Sequence, residues 1–131
     1  MSTVGPLKLL DPMYAGLGNV LDLRRAQHTL IAANLANADT PGYRTKEIPF
    51  EDLLTESMES PMRGETMSVG ERAMEELREL DAPANSLDGN SVDAEREATK
   101  LTENQVMYEA LAGGMSRRLA MLRFAASDGK I

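Results

Sequence analysis

The sequence predicts a mainly α protein. Long N- and C-terminal helices pair as an antiparallel coiled-coil hairpin, with an irregular or extended acidic central segment between them. Three observations carry this: an apolar helical stripe over residues 14–38, a heptad seam over residues 91–126, and an aperiodic, strongly acidic stretch over residues 39–90. At 131 residues the chain fits one domain, 1–131, by the usual size of a folding unit.

In the first stretch Leu17, Val20, Leu21, His28, Ile31 and Leu35 share a helical face, widened by Leu23 and Leu30. Asp22, Arg25, Thr29 and Ala33 fall opposite. An apolar stripe at this spacing, sustained for six turns, predicts an amphipathic helix.

The second helix is read from alternate steps of four and three. Starting at Ala94, they reach Ala98, Leu101, Gln105, Tyr108, Ala112, Met115, Leu119, Leu122 and Ala126, with only Gln105 polar. A seam of this kind is what a helix packed along a partner helix requires. Its start is marked by the Asp88-Gly89 turn, by Asn90 or Ser91 as N-cap, and by Asp93 and Glu95 near the positive end of the helix dipole. Gly113 and Gly114 weaken the helix by roughly 1 kcal/mol each relative to Ala, and a kink there is an open alternative.

The net charge of −7 is concentrated in the middle. Residues 1–50 carry +1, residues 51–90 carry −8, and residues 91–131 are neutral. That distribution excludes the basic stripe a nucleic-acid binder needs and predicts a solvated, irregular surface over 39–90. Within it, "YRTKEIPFEDLL" alternates enough to run extended before a short helical turn, and "GERAMEELREL" has helix-forming composition. So little apolar content does not fold unaided.

Chemistry is not announced. The one histidine, His28, sits on the apolar side of the first helix, where packing is the expected role, and no cysteine is present. No cofactor, metal site or catalytic constellation is expected, and the chain is not read as an enzyme. No apolar run is long enough to span a bilayer. The opening residues "MSTVGPLKLLDPMYAGLGN" lack a basic segment followed by an unbroken apolar one, so no cleaved signal peptide is expected.

One joint is over-furnished for its apparent task. In "NLANADTPGY" Asn34 and Asn37 are placed to bond the last helical carbonyls, Pro41 holds Thr40 extended, and Pro41-Gly42 suits the centre of a type II turn. A single glycine would end a helix. Both terminal helices also carry more apolar surface than one pairing covers. This leaves two readings: a small monomer using the middle as a third element, or docking on further helical chains.

The block "AANLANADTPGYRTKEIPFEDLL" resembles the N-terminal signature of the rod and hook proteins of the bacterial flagellum, Asn-x-Ala-Asn followed by Thr-Pro-Gly-Tyr. Here the signature falls on Asn34, Leu35, Ala36, Asn37, Asp39, Thr40, Pro41, Gly42 and Tyr43. The block "LDGNSVDAEREATKLTENQVMYEALAGGMSRRLAMLR", with Asn104 and Tyr108 four apart, is similar to the same family's C-terminal helix. Asp39, followed by "PFEDLL", favours the family's proximal rod branch over its distal rod subunit.

The resemblance implies a structural subunit of the basal body rod that crosses the periplasmic space. Such a subunit is exported by the flagellar type III apparatus without a cleaved signal. It self-assembles with other rod proteins into the helical tube that transmits torque and lines the export channel, near membrane-ring and adaptor proteins at the rod base. It further implies that the terminal helices pair along a seam, with Leu17, Leu21, Ile31 and Leu35 against Ala98, Leu101, Tyr108, Ala112, Met115, Leu119 and Leu122. From a different class, a soluble helical adaptor or chaperone remains an alternative on the pattern of the residues.

Overall fold

A computed structural model describes residues 6–59, 67–80, 83–84 and 86–127, with side chains from residue 12 on. Residues 60–66, 81, 82 and 85 of the expected irregular insert therefore lie outside the described residues. The described chain is mainly helical. In order it forms α1 (Pro6–Ala36), β1 (Lys46–Glu47), α2 (Phe50–Glu59), α3 (Val69–Glu75), β2 (Arg78–Glu79) and α4 (Ala94–Ala126).

The first helix begins at Pro6, eight residues before the start read from the apolar stripe, and ends at Ala36. Proline's fixed φ and missing N–H suit a first helical position. The apolar stripe starts later than the helix does, which is why it misplaced the boundary. Pro12 lies inside the helix, where it removes one ladder bond.

The fourth helix runs unbroken through Gly113 and Gly114. Its N-cap is Asp93, whose carboxylate accepts from the Arg96 N–H at 3.0 Å. Neither Asn90 nor Ser91 caps it, because both side chains are engaged elsewhere.

The middle of the chain differs most from expectation. It holds two short helices and a two-residue antiparallel pairing, Lys46 opposite Glu79 and Glu47 opposite Arg78. Where the sequence predicts an irregular stretch over 39–90, its described residues supply four of the seven buried members of the main hydrophobic cluster. Leu23, Ala26 and Leu30 of α1 pack with Ile48, Leu53 of α2, and Val69 and Ala73 of α3, with Phe50, Leu54 and Leu77 at the margin.

A few well-placed residues on an irregular-looking segment suffice, because α1 offers them a ready apolar face. Ser68 and Glu71 close a reciprocal capping box at the start of α3. The Gly70 N–H donates to Asp22 Oδ2 of α1 at 2.9 Å. A Cβ at Gly70 would meet that oxygen at 2.8 Å, so only glycine lets α3 approach this closely. Arg72 pairs with Glu56 at 3.0 Å, linking α3 to α2.

On its other side α1 meets α4. Asn34 Nδ2 reaches Glu97 Oε2 at 3.1 Å, and Arg24 and Asn104 bond to each other further along. Residue numbers fall on α4 as they rise on α1, so the two helices run antiparallel here. Arg24 is a three-way junction. Its guanidinium stacks 4.5 Å from the Phe50 ring of α2, while its side chain donates to Asn104 Oδ1 at 3.3 Å.

The side of α4 turned to α1 carries Glu97 and Asn104, both buried, whereas Ala98 and Gln105 are exposed. In this half of α4 the contact line is therefore one residue earlier than the apolar seam predicts. Buried hydrogen-bonding groups, invisible to an apolar count, take its place.

Beyond Asn104 α4 is barely covered. Val106, Met107, Leu119, Met121 and Phe124 are exposed, while Leu111, Ala112, Met115 and Leu122 are half-buried, as is Leu101 before it. Leu23→Ala is expected to destabilise the purified chain by about 3 kcal/mol, since it opens a cavity in a filled cluster. Met121→Ala is expected to change stability by no more than about 0.5 kcal/mol. Urea unfolding of the two variants measures the difference.

Candidate functional site

The described residues that depart most from ordinary helix-and-core packing are at the corner where α1 ends. The local chain dictates part of it. Asn37 continues past the helix and donates from Nδ2 to Ala33 O at 2.8 Å, while its Oδ1 accepts from Thr40 Oγ1 at 3.1 Å. The Tyr43 N–H donates to Thr40 O at 3.2 Å, and Gly42 has φ +72°. This is the bond and the left-handed third residue that a type II turn over Thr40-Pro41-Gly42-Tyr43 requires. Asp39, Thr40, Pro41 and Gly42 are exposed, and Ala36 with them.

Asn34 does something the helix end alone does not call for. It is 1% exposed, and its side chain is fully used. Nδ2 donates to Lys46 O at 2.8 Å and to Glu97 Oε2 at 3.1 Å. Oδ1 accepts from the Lys46 N–H and from the Tyr43 hydroxyl, both at 3.1 Å. An amide offers two donors and one oxygen with two acceptor positions, so nothing is left over.

Glu97 is as buried as Asn34, and its other oxygen accepts from Lys100 Nζ at 2.8 Å. Burial, with the Glu97 charge adding to it, pushes the Tyr43 hydroxyl above its ordinary value. Tyr43 thus remains a protonated donor to Asn34 throughout the neutral range.

A second turn, residues 86–90, locks against the first. Asn90 Nδ2 donates to the carbonyls of Asn37 (2.9 Å) and Thr40 (2.7 Å), and its Oδ1 accepts from the Val92 N–H at 2.7 Å. The Gly42 N–H donates to Asp88 O at 2.9 Å. One step on, Thr45 and Ser91 exchange bonds. The Thr45 N–H donates to Ser91 Oγ at 2.8 Å, Thr45 Oγ1 donates to Ser91 O at 2.9 Å, and the Ser91 N–H donates to Tyr43 O at 3.0 Å.

The structure thus brings Asn34, Asn37, Thr40, Gly42 and Tyr43 together. Leu35 is half-buried on the helix itself, on the side that also carries Leu17, Arg24 and Ile31 at sevenfold spacing. Sequence reasoning missed Thr45, Asp88, Asn90, Ser91 and Glu97 as members of the corner. The available signal was a surplus: Asn90, Ser91 and Asp93 are three capping-type residues before one helix, and a helix start uses one.

A mainly helical protein whose two long helices are joined through a polar, double-turn corner is the class that this architecture defines. A family model described as "Flagella basal body rod protein" matches residues 20–44, which cover the second half of α1 and the corner's first turn. The chain is 32% identical to the flagellar basal body rod protein FlgB of Escherichia coli K12, an alignment spanning 85% of this chain and 92% of that one. It is 36% identical to FlgB of Salmonella typhimurium over 77% of this chain and 85% of the relative. It is 28% identical to FlgB of Bacillus subtilis over 95% and 100%. The chain belongs to the FlgB family of flagellar basal body rod proteins.

Asn34→Ala strips a partner from the Tyr43 hydroxyl, from the Lys46 N–H and carbonyl, and from the buried Glu97 carboxylate. Leaving buried groups unsatisfied costs about 1–3 kcal/mol for each neutral group. The variant is therefore expected to lose at least about 2 kcal/mol, read as a lower urea midpoint than that of the parent chain.

Proposed function

We propose that this chain is a structural subunit that self-assembles with other rod proteins into a helical tube, transmitting torque along it and lining the export channel, with no catalytic chemistry. The observation that carries the reading is the second apolar face of α4. Val106, Met121 and Phe124 are spaced so that they fall within about 60° of one another around the helix. They lie opposite the side that carries Glu97 and Asn104. They are 58%, 71% and 52% exposed. A helix that is apolar on two opposite sides is one that other elements cover on both.

In this reading α1 and α4 form the inner coiled-coil layer. Leu17, Leu21, Ile31 and Leu35 pack along Leu101, Tyr108, Ala112, Met115, Leu119 and Leu122 once neighbours close around them. Burying one leucine contributes on the order of 2 kcal/mol, so contacts repeated around a tube stiffen it where a lone hairpin is marginal. The corner, with Asn34 and the 39–43 turn, is where the wall-forming helix turns into the segment that meets adjacent subunits.

The family resemblance supplies the setting. The subunit lies in the periplasmic stretch of the rod and reaches it through the flagellar type III apparatus without a cleaved signal. It neighbours membrane-ring and adaptor proteins at the rod base. No helix among the described residues is long and apolar enough to cross a membrane.

Two outcomes are expected. Hydrogen exchange on the isolated chain should be fast over residues 105–126 and slow over the second half of α1, with the 105–126 amides becoming protected in isolated basal bodies. Equal protection in both states would count against assembly through α4. Phe124→Asp should abolish swimming while leaving the far-ultraviolet circular dichroism of the purified chain unchanged, and normal motility would reject the outer face of α4 as an interface.

A further inference from the structure

We propose that the Leu87 turn of one copy seats on the outer face of α4 of a second copy, an apolar knob among acidic residues against an apolar strip that carries arginines. The inference rests on the reading of the chain as a self-assembling subunit and adds the partner and the register of one contact.

Leu87 is the apex of the 86–90 turn and is fully exposed. The turn beneath it is held from both sides. The Gly89 N–H donates to Ser86 O at 3.1 Å, and the Ser86 hydroxyl bonds the Asp88 carboxylate. The Asn90 N–H donates to the same carboxylate at 3.1 Å, and Asp88 O accepts from Gly42. A leucine on so constrained a turn contributes nothing to the core of its own chain. It is already ordered in one position, so docking it costs little further entropy.

Charge selects the occupant. The two locked turns and the approach to α4, residues 37–43 and 86–93, contain Asp39, Asp88 and Asp93 and no basic residue. All three aspartates are exposed. The outer half of α4, residues 105–127, contains Arg117, Arg118 and Arg123 against the single acid Glu109. All three are exposed, and at the helical spacing Arg117 falls within the strip of Val106, Met121 and Phe124, with Arg118 at its edge beside Met121. A knob among aspartates at one end of the helix pair and an arginine-bearing apolar strip at the other are complementary in sign and in polarity.

Within one chain they cannot meet. Leu87 precedes the start of α4 at Ala94, and Met121 lies 27 residues along that helix, about 40 Å away at the α-helical rise. The contact is therefore between copies; repeated head-to-tail without closing into a ring, it extends an assembly.

Because the chain has no cysteine, introduced pairs report without background. The full chain carrying Leu87→Cys and Met121→Cys, supplied in place of the parent in flagellated cells, is expected to give covalent multimers of this chain when isolated basal bodies are oxidised. Each single variant, and Leu87→Cys combined with Ser116→Cys on the flank of α4, should give none. Basal bodies that contain the chain but yield no multimer overturn the interface while leaving the rod assignment standing. Absence of the parent chain from basal bodies overturns that assignment, and the interface with it. A cross-link to a different protein overturns the choice of a second copy.

Leu87→Asp provides an independent reading. It is expected to enter basal bodies about tenfold less than the parent with unchanged circular dichroism, while Leu87→Met enters normally. Parent-level incorporation of Leu87→Asp would also overturn the proposal.

Discussion

Asn34 is the point at which three separate parts of the chain are forced to agree. Its amide holds the end of α1, the segment from Tyr43 to Lys46 and the first turn of α4 in one fixed relation through four hydrogen bonds. The site is closed to water, so each bond replaces a solvent partner that is no longer available, and a missing bond leaves a stranded group. Once Asn34 is satisfied, Lys46 is placed for its pairing with Glu79, Ile48 turns into the core, and α2 starts at Phe50 beneath Arg24. The position of α4 follows from the same residue through Glu97.

Around that anchor the molecule divides into a finished part and an unfinished one. The finished part is the cluster of α1, α2 and α3 with the corner beside it, where the apolar cluster is buried and the Asn34 and Asn90 amides are fully partnered. The unfinished part is the outer half of α4, which keeps helical geometry while leaving its outer apolar side in water and its inner one only half covered. A folded platform that presents an uncovered helix combines order with a demand for neighbours, and a subunit added to a growing assembly needs both.

The sequence made the two long helices legible because a repeating apolar spacing signals a helix without reference to anything distant. The turn at Thr40-Pro41-Gly42-Tyr43 was equally legible, since φ preferences are local. What could not be read were relations between residues far apart in sequence. Asn34 lies 63 positions from Glu97 and Asn90 lies 53 from Asn37, and no periodicity marks either pairing. The apolar count also pointed to Ala98, where the buried contact is made by its charged neighbour Glu97. The middle segment read as irregular because its core residues, Ile48, Leu53, Val69 and Ala73, are too sparse for a pattern, although each finds its complement on α1.

The polar groups at Glu97 and Asn104 also set a length. Two helices joined by a purely apolar heptad seam could slide past one another by seven residues, about 10 Å at the helical rise, and find nearly equivalent contacts. Here such a slip would part Glu97 from Asn34 and Asn104 from Arg24, leaving a carboxylate, a guanidinium and two amides without their partners. The hairpin therefore behaves as a gauge block with one admissible dimension. In the proposed assembly every copy would bring the same dimension, so a wall built from them would be uniform without any external template.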